Sequence, residues 1–286
     1  MKYKVSDDLK LLSEYLNISL KDLSDRLDIS FETLSKIVNN DIYPSNEILE
    51  KIYSYFYENK IELNKEKIKI YKEKYNVLLF HGSKEEITGE LSLSHSRENV
   101  DFGAGFYVGD NYEQSLDFIC FNQKGTMYVL NADFSSLKVL KLGVSIEWML
   151  YIALNRGKLE KYKDSKKLIE LKSKLNSYDV IIAPIADNRM FTTIDDFTRS
   201  AITSEQAMHA LKDLSLGDQI VFKSEESLKK LTILEKLYVC KKERLDAYKN
   251  KQKKIFDSDD YINNAYEIYI HKGQYISEVF ANEKDD

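Results

Sequence analysis

The sequence predicts an α+β protein in three parts: an all-α helix-turn-helix region, then a mixed β-sheet with helices, then a helical C-terminal extension. Three observations carry this. Up to residue 62, leucine and isoleucine recur at helical spacing in short segments that open on serine. After residue 75, short apolar runs fit for buried strands alternate with helical patterns. From about Leu231 the chain reads as polar helix.

Composition limits the function classes. The chain has 286 residues, 43% of them apolar, which allows two or three small domains with real cores. Charged residues make up 31%, and the net charge of −5 excludes a globally basic nucleic-acid binder. Cys120 and Cys240 lie far apart and outside any metal-ligand spacing, so a disulfide framework is excluded and no metal is expected. Reduced thiols fit a reducing compartment. The start, MKYKVSDDLK, carries acids where a secretory signal would be apolar. No apolar run approaches the roughly 18 residues of a bilayer span. A cytoplasmic protein without membrane contact is the expectation.

Residues 1–62 form the first domain. Leu11, Leu12 and Leu16 share a helical face. Ser19 with Asp22 makes a capping box ahead of Leu20, Leu23 and Leu27. Asp28-Ile29-Ser30 is a tight turn with Ser30 as the next N-cap, and Leu34, Ile37 and Val38 line the helix that follows. Asn39-Asn40-Asp41 ends it, and Pro44-Ser45 opens another with Ile48, Leu49 and Ile52. Two short helices joined by a tight turn inside such a unit make the helix-turn-helix plan. LKDLSDRLDISFETLSKIVNN resembles the Xre/Cro-like repressor domain. That resemblance turns Ser30, Thr33, Lys36 and Asn39 outward, where they could reach base edges. The other reading is a helical interaction module that never touches DNA. Residues 1–62 hold 8 Lys/Arg against 12 Asp/Glu, a net of −4, so DNA binding would need a local basic edge or a dimer.

Residues 63–74 read as a charged helical connector, and 75–232 as the second domain. The run 77–80 (VLLF) is a buried strand ending in His81-Gly82-Ser83. A polar loop leads to Gly103-Ala104-Gly105-Phe106-Tyr107 and a second short strand. A helix follows with Tyr112, Ser115, Leu116 and Ile119 on one side. Residues 127–130, 180–186 and 218–222 supply further strands, and Trp148 with Met149, Tyr151 and Ile152 makes an ordinary helix core face.

These pieces resemble the ADP-ribosyltransferase superfamily, on the side that includes diphtheria toxin and the poly(ADP-ribose) polymerases. The polymerases carry a strand ending in His-Gly-Ser, then Gly-x-Gly-x-Tyr, a serine eight residues later and an aromatic three further on. Here those positions hold His81-Gly82-Ser83, Gly103-x-Gly105-x-Tyr107, Ser115 and Phe118. LFHGS with DFGAGFYVGDNYEQS looks still more like an uncharacterised bacterial family, DUF3990, usually grouped with these transferases. The resemblance covers roughly residues 75–232 and implies a split β-sheet that binds NAD as co-substrate.

The implied roles suit the residue types. His81 would bond an adenosine-ribose hydroxyl, and Gly82, lacking a side chain, would let its backbone approach the nicotinamide amide, with Ser83 beside it. Tyr107 and Phe118 would sandwich the nicotinamide, Gly105 would flank that site, and Ser115 would hold the carboxamide. The superfamily's third element, on a late strand, bonds the nicotinamide-ribose 2′-hydroxyl as positive charge develops. The polymerase register puts Asp218 there; the closer bacterial family puts Gln219. Neighbouring strand residues face opposite sides, so one of the two points into the cleft. Either departs from Glu and weakens any case for chain growth.

Further candidates are less specific. Asp187 and Asn188, with Arg189, follow a buried strand and could meet NAD phosphates or the acceptor, or simply form a solvated Arg–Asp pair. Arg97, in the loop with Asp101, could pair with a pyrophosphate or be a surface arginine. His95, His209 and His271 read as surface or satisfied histidines. Residues 233–286 form the extension, whose basic run from Lys241 to Lys254 is a solvated helix face or a nucleic-acid contact. Tyr261, Ala265, Ile268 and Tyr269 suggest a last amphipathic helix that packs back or forms a homodimer.

Two functions are therefore expected. One is a mono-ADP-ribosyltransferase acting on a macromolecular acceptor; by analogy it is toxin-like or linked to phage defence, with a partner antitoxin. The other is a transcription regulator whose degenerate domain senses NAD or ADP-ribose.

Overall fold

The structure, a computed structural model, describes residues 1–94, 96–212 and 217–281, with backbone alone at 255–259. His95 lies outside the described residues. The chain forms two compact units, each assembled from several segments.

The N-terminal part of the first unit is helical. Helix α1 (Val5–Leu16) ends on Asn17 in the left-handed conformation. Helix α2 (Leu20–Leu27) starts with the complete Ser19/Asp22 capping box and ends on left-handed Asp28. Helix α3 (Phe31–Val38) is capped by Ser30, and α4 (Asn46–Glu58) by Ser45. These serines accept from backbone N–H groups that the first turn leaves unpaired. The core face of α1 is Val5, Leu9 and Leu12, with Leu11 and Leu16 only at its border. Leu23, Leu27, Leu34, Ile37, Leu49, Ile52 and Phe56 complete this core.

Helix α5 (Leu63–Lys74) buries Leu63, Asn64, Lys67 and Ile68, so the expected connector is an integral packing element of its unit. The chain then enters strand β1 (Leu78–Ser83) and, beyond the polar loop, β2 (Phe106–Gly109). Helix α6 (Tyr112–Ile119), β3 (Thr126–Ala132) and β4 (Val139–Lys141) follow. Next come α7 (Ile146–Asn155) and α8 (Lys166–Asn176), then β5 (Val180–Pro184). Helices α9 (Asn188–Thr198) and α10 (Ser204–Lys212) precede β6 (Asp218–Phe222). The short α11 (Glu225–Leu228), β7 (Leu231–Leu237), α12 (Lys241–Ile268) and α13 (Ile276–Ala281) complete the described chain.

In the first unit the strand order is β1-β3-β7, with β1 antiparallel to β3 and His81 opposite Tyr128. In the second it is β4-β5-β6-β2. There β4 and β5 are parallel, while β5 with β6 and β6 with β2 are antiparallel. Trp148, Tyr151, Ile181, Met190, Phe197 and Val221 lie at the centre of the second unit's core. Trp148 Nε1 donates to the Pro184 carbonyl at 3.2 Å, so this buried indole is satisfied.

The reading of the C-terminal region needs correction. Leu231 does not begin a helix: residues 231–237 form β7. Its charged residues Glu235 and Lys236 are buried in the strand. They pair with Lys67 and Glu86, distant residues that no local reading could supply. The helical extension starts at Lys241 and folds back, α13 adding Ile276, Val279 and Phe280 to the second unit's core. Among the described residues no helix is long and apolar enough to cross a membrane.

Candidate functional site

The motif residues divide between the units, and each half has its own geometry.

In the first unit His81 and Gly82 lie on β1. The His81 ring, half-buried, sits 6.4 Å from the ring of Tyr128 across the β1–β3 pair. The Tyr128 hydroxyl accepts from Ile87 N–H at 2.8 Å and ties down the turn after Ser83, itself half-exposed at the strand end. Gly82 is required by packing: a Cβ there would run into the carbonyl oxygen of Ser115 and lie 2.9 Å from Ile119 Cγ2. Glycine thus lets α6 sit directly on β1. Ser115, buried, donates from Oγ to the Phe80 carbonyl at 3.1 Å, a second link between the same elements. Phe118 is 56% exposed, with Lys84 Nζ 5.7 Å above its ring.

The second unit holds a buried polar knot around Asp101, which is 5% exposed. Asp101 Oδ1 pairs with Arg156 Nη2 at 2.5 Å, and Oδ2 accepts from Gln219 Nε2 at 2.8 Å. Gln219 Nε2 also donates to the Pro184 carbonyl at 3.1 Å. Arg156 donates to the Ala186 carbonyl at 3.2 Å and lies 4.1 Å over the Phe191 ring. Asn155 Nδ2 donates to the Asp101 carbonyl at 3.2 Å. Loop, α7, β5 exit and β6 all meet here.

Tyr107 closes the same loop. Its hydroxyl donates to the Gly103 carbonyl at 2.7 Å and accepts from Phe102 N–H at 3.1 Å. Burial pushes its pKa well above the ordinary tyrosine value. Lys223 Nζ donates to the Phe102 carbonyl. Burial brings that ammonium down to about 8, since desolvation disfavours the charged form. Gly105 is a packing glycine like Gly82, since a Cβ would lie 2.5 Å from Val221 Cγ1.

Sheet register separates the two late-strand candidates. Tyr107 is opposite Val221, and Gly109 opposite Gln219. Opposed residues share a face and alternate residues return to it, so Gln219 lies on the Tyr107 face. Asp218 lies on the other face, half-buried, its carboxyl raised by desolvation and by Asp110, with Lys141 opposing.

The remaining candidates scatter. Asp187 is the N-cap of α9, accepting from the backbone of Arg189 and Met190, and it pairs with the Arg189 guanidinium at 2.9 Å. Arg189 also donates to the Lys254 carbonyl at 3.3 Å. Asp187 thus serves as cap and ion-pair partner, while Asn188 is exposed at the first helical position. Arg97 is exposed in its loop. Among the described residues no group of three or more His, Cys, Asp or Glu is placed to hold a metal ion.

On the helix-turn-helix, Lys36 and Asn39 are exposed, Thr33 is half-buried, and Ser30 is occupied as a cap with Oγ 2.8 Å from Thr33 Oγ1. Lys36 Nζ is paired with Glu32 at 2.7 Å, and Phe31 is 51% exposed at the helix start.

In the sequence Asp101 stands only as a loop neighbour of Arg97, and nothing there marks Arg156. Asp101 sits directly before Phe102-Gly103, a usable signal; Arg156 lies in no motif.

Residues 77–233 match the model of a family described as protein of unknown function (DUF3990), and residues 9–56 match a helix-turn-helix family, HTH_3. No curated protein and no solved structure matches the chain.

Proposed function

The chain belongs to the DUF3990 family, and from that premise we propose that it is an NAD-dependent mono-ADP-ribosyltransferase whose helix-turn-helix domain targets or regulates it through DNA. The observation that supports this most is the placement of the motif residues. His81 and Gly82 are on β1, Tyr107 on β2, Ser115 and Phe118 on the helix after β2, and Gln219 on a late strand that pairs with β2. Tyr107 and Gln219 also share a face, as partners around one ligand must. In this reaction the bond between nicotinamide and ribose C1′ breaks and nicotinamide leaves with the electron pair. A nucleophile of the macromolecular acceptor adds to C1′ and gives up its proton. Gln219 accepts from the 2′-hydroxyl, and Tyr107 stacks on the nicotinamide.

The test is nicotinamide release from NAD by the full chain, with and without cell lysate, beside His81→Ala and Tyr107→Ala. Release that depends on lysate and disappears in both variants supports the transferase. Absence of release from the unaltered protein sinks it. A second reading, an NAD- or ADP-ribose-sensing regulator without chemistry, is favoured by the neutral amide at 219. Saturable NAD binding without release would select it.

A further inference from the structure

The Gln219 amide is fully specified on its donor side. Nε2 faces two acceptors, Asp101 Oδ2 at 2.8 Å and the Pro184 carbonyl at 3.1 Å. A carbonyl oxygen turned to that side would confront a carboxylate and another carbonyl, so the amide stands in one orientation. Oε1 has no hydrogen-bond donor among the described residues. Asp101 in turn is held by Arg156 at 2.5 Å and by the Ala186 N–H at 3.4 Å.

We propose that Asp101 is a positioning residue for Gln219: its Arg156-paired carboxylate excludes a carboxylate from position 219 and presents the amide oxygen Oε1 as the acceptor for a ribose hydroxyl. The role toward a ribose rests on the transferase reading above. The exclusion of a carboxylate does not, because it follows from geometry alone. A glutamate at this position would set two like charges in a buried site, with Arg156 the counter-ion in contact with Asp101 and Tyr107 the neighbouring titratable group. The departure from glutamate is then a compensated pair. One negative charge serves Arg156, and it sits at 101 rather than 219.

Moving that charge is the test. Four full-length proteins are compared: the unaltered chain, Gln219→Glu, Asp101→Asn and the double variant. The double variant keeps one carboxylate for Arg156 and gives the introduced carboxylate an amide donor at 101. Gln219→Glu is expected to lower Tm by on the order of 10 °C at pH 7.5. Part of that loss should return at pH 5, because the extra carboxylate has a raised folded pKa and is tolerated once protonated. Asp101→Asn should also lower Tm, and the double variant should return to within a few degrees of the unaltered chain. Additive losses, or a Gln219→Glu protein as stable as the unaltered one, overturn the charge exchange. NAD titration of Asp101→Asn, at a temperature where it is folded, is expected to show at least tenfold weaker binding. Binding equal to that of the unaltered chain overturns the positioning role. If no protein of the four binds NAD while the Tm exchange holds, the transferase reading fails and the amide-selecting pair stands.

Discussion

Lys67 of α5 and Glu235 of β7 form a buried ion pair, Nζ to Oε1 at 2.6 Å, across 168 residues of sequence. Asp8 of α1 pairs with the same ammonium and accepts from the Tyr53 hydroxyl of α4. The Tyr71 hydroxyl donates to the second Glu235 oxygen at 2.7 Å. The helical N-terminal region and strand β7 thus share one charged core.

Lys67→Met should therefore be severe. It leaves the Asp8 and Glu235 carboxylates buried without their shared cation, and breaking such a pair costs about 3–5 kcal/mol. Burial already raises the Asp8 carboxyl even with Lys67 opposing it. Without Lys67 the folded pKa rises further above the unfolded value of roughly 4, so the deficit is full at neutral pH and fades with acid. Thermal unfolding by circular dichroism at pH 7.5 and 5 reads this. A deficit equal at both pH values contradicts it.

Gly82→Ala tests whether glycine is set by packing. The added Cβ meets the Ser115 carbonyl, which is backbone and cannot swing aside, so a loss of about 1–3 kcal/mol is expected. Gly143, where a Cβ would find nothing within 4 Å, is the control, and Gly143→Ala should be neutral or slightly stabilising. Equal denaturation midpoints for the two variants would refute the packing argument.

DNA binding by the helix-turn-helix should show a shallow salt dependence, because the domain carries a net −4 and Lys36 is engaged with Glu32. Against a duplex selected from a random pool, Lys36→Ala should reduce the slope of log affinity on log salt by about 1. Glu32→Ala should tighten binding by freeing that lysine. Fluorescence anisotropy between roughly 50 and 200 mM salt measures both. A steep slope indifferent to Lys36 would place the phosphate contacts elsewhere.

Lys223 predicts an alkaline effect. Burial lowers its ammonium from the ordinary lysine value to about 8. A depressed folded pKa means a contribution fully present above the unfolded pKa of roughly 10.4 and lost as pH falls through the folded one. Stability should rise between pH 8 and 10 relative to Lys223→Met, as followed by urea unfolding. Parallel curves for the two proteins would show that Lys223 titrates normally.

Much was legible because it is local. Ser19 with Asp22, Ser30 and Ser45 announce helix starts whatever the rest of the chain does, and the structure uses each as a cap. The apolar runs that became β1, β3, β5 and β6 were readable because a buried strand needs no partner's identity to be recognised. The spacing from Gly103 to Phe118 was readable as a resemblance, because motif spacing lies in the sequence itself. Other features were decided by tertiary structure. Strand β7 hid behind Glu235 and Lys236, charges tolerable inside only because Lys67 and Glu86 meet them. Which of Asp218 and Gln219 shares the Tyr107 face needed the β2–β6 register, since alternation alone allows either. Gly82 and Gly105 reveal their packing role only when α6 and β6 come within contact distance. Asp101 and Arg156 are ordinary polar residues in the sequence; folding brings them together with Gln219, because a buried charge must find its partner wherever in the chain that partner lies.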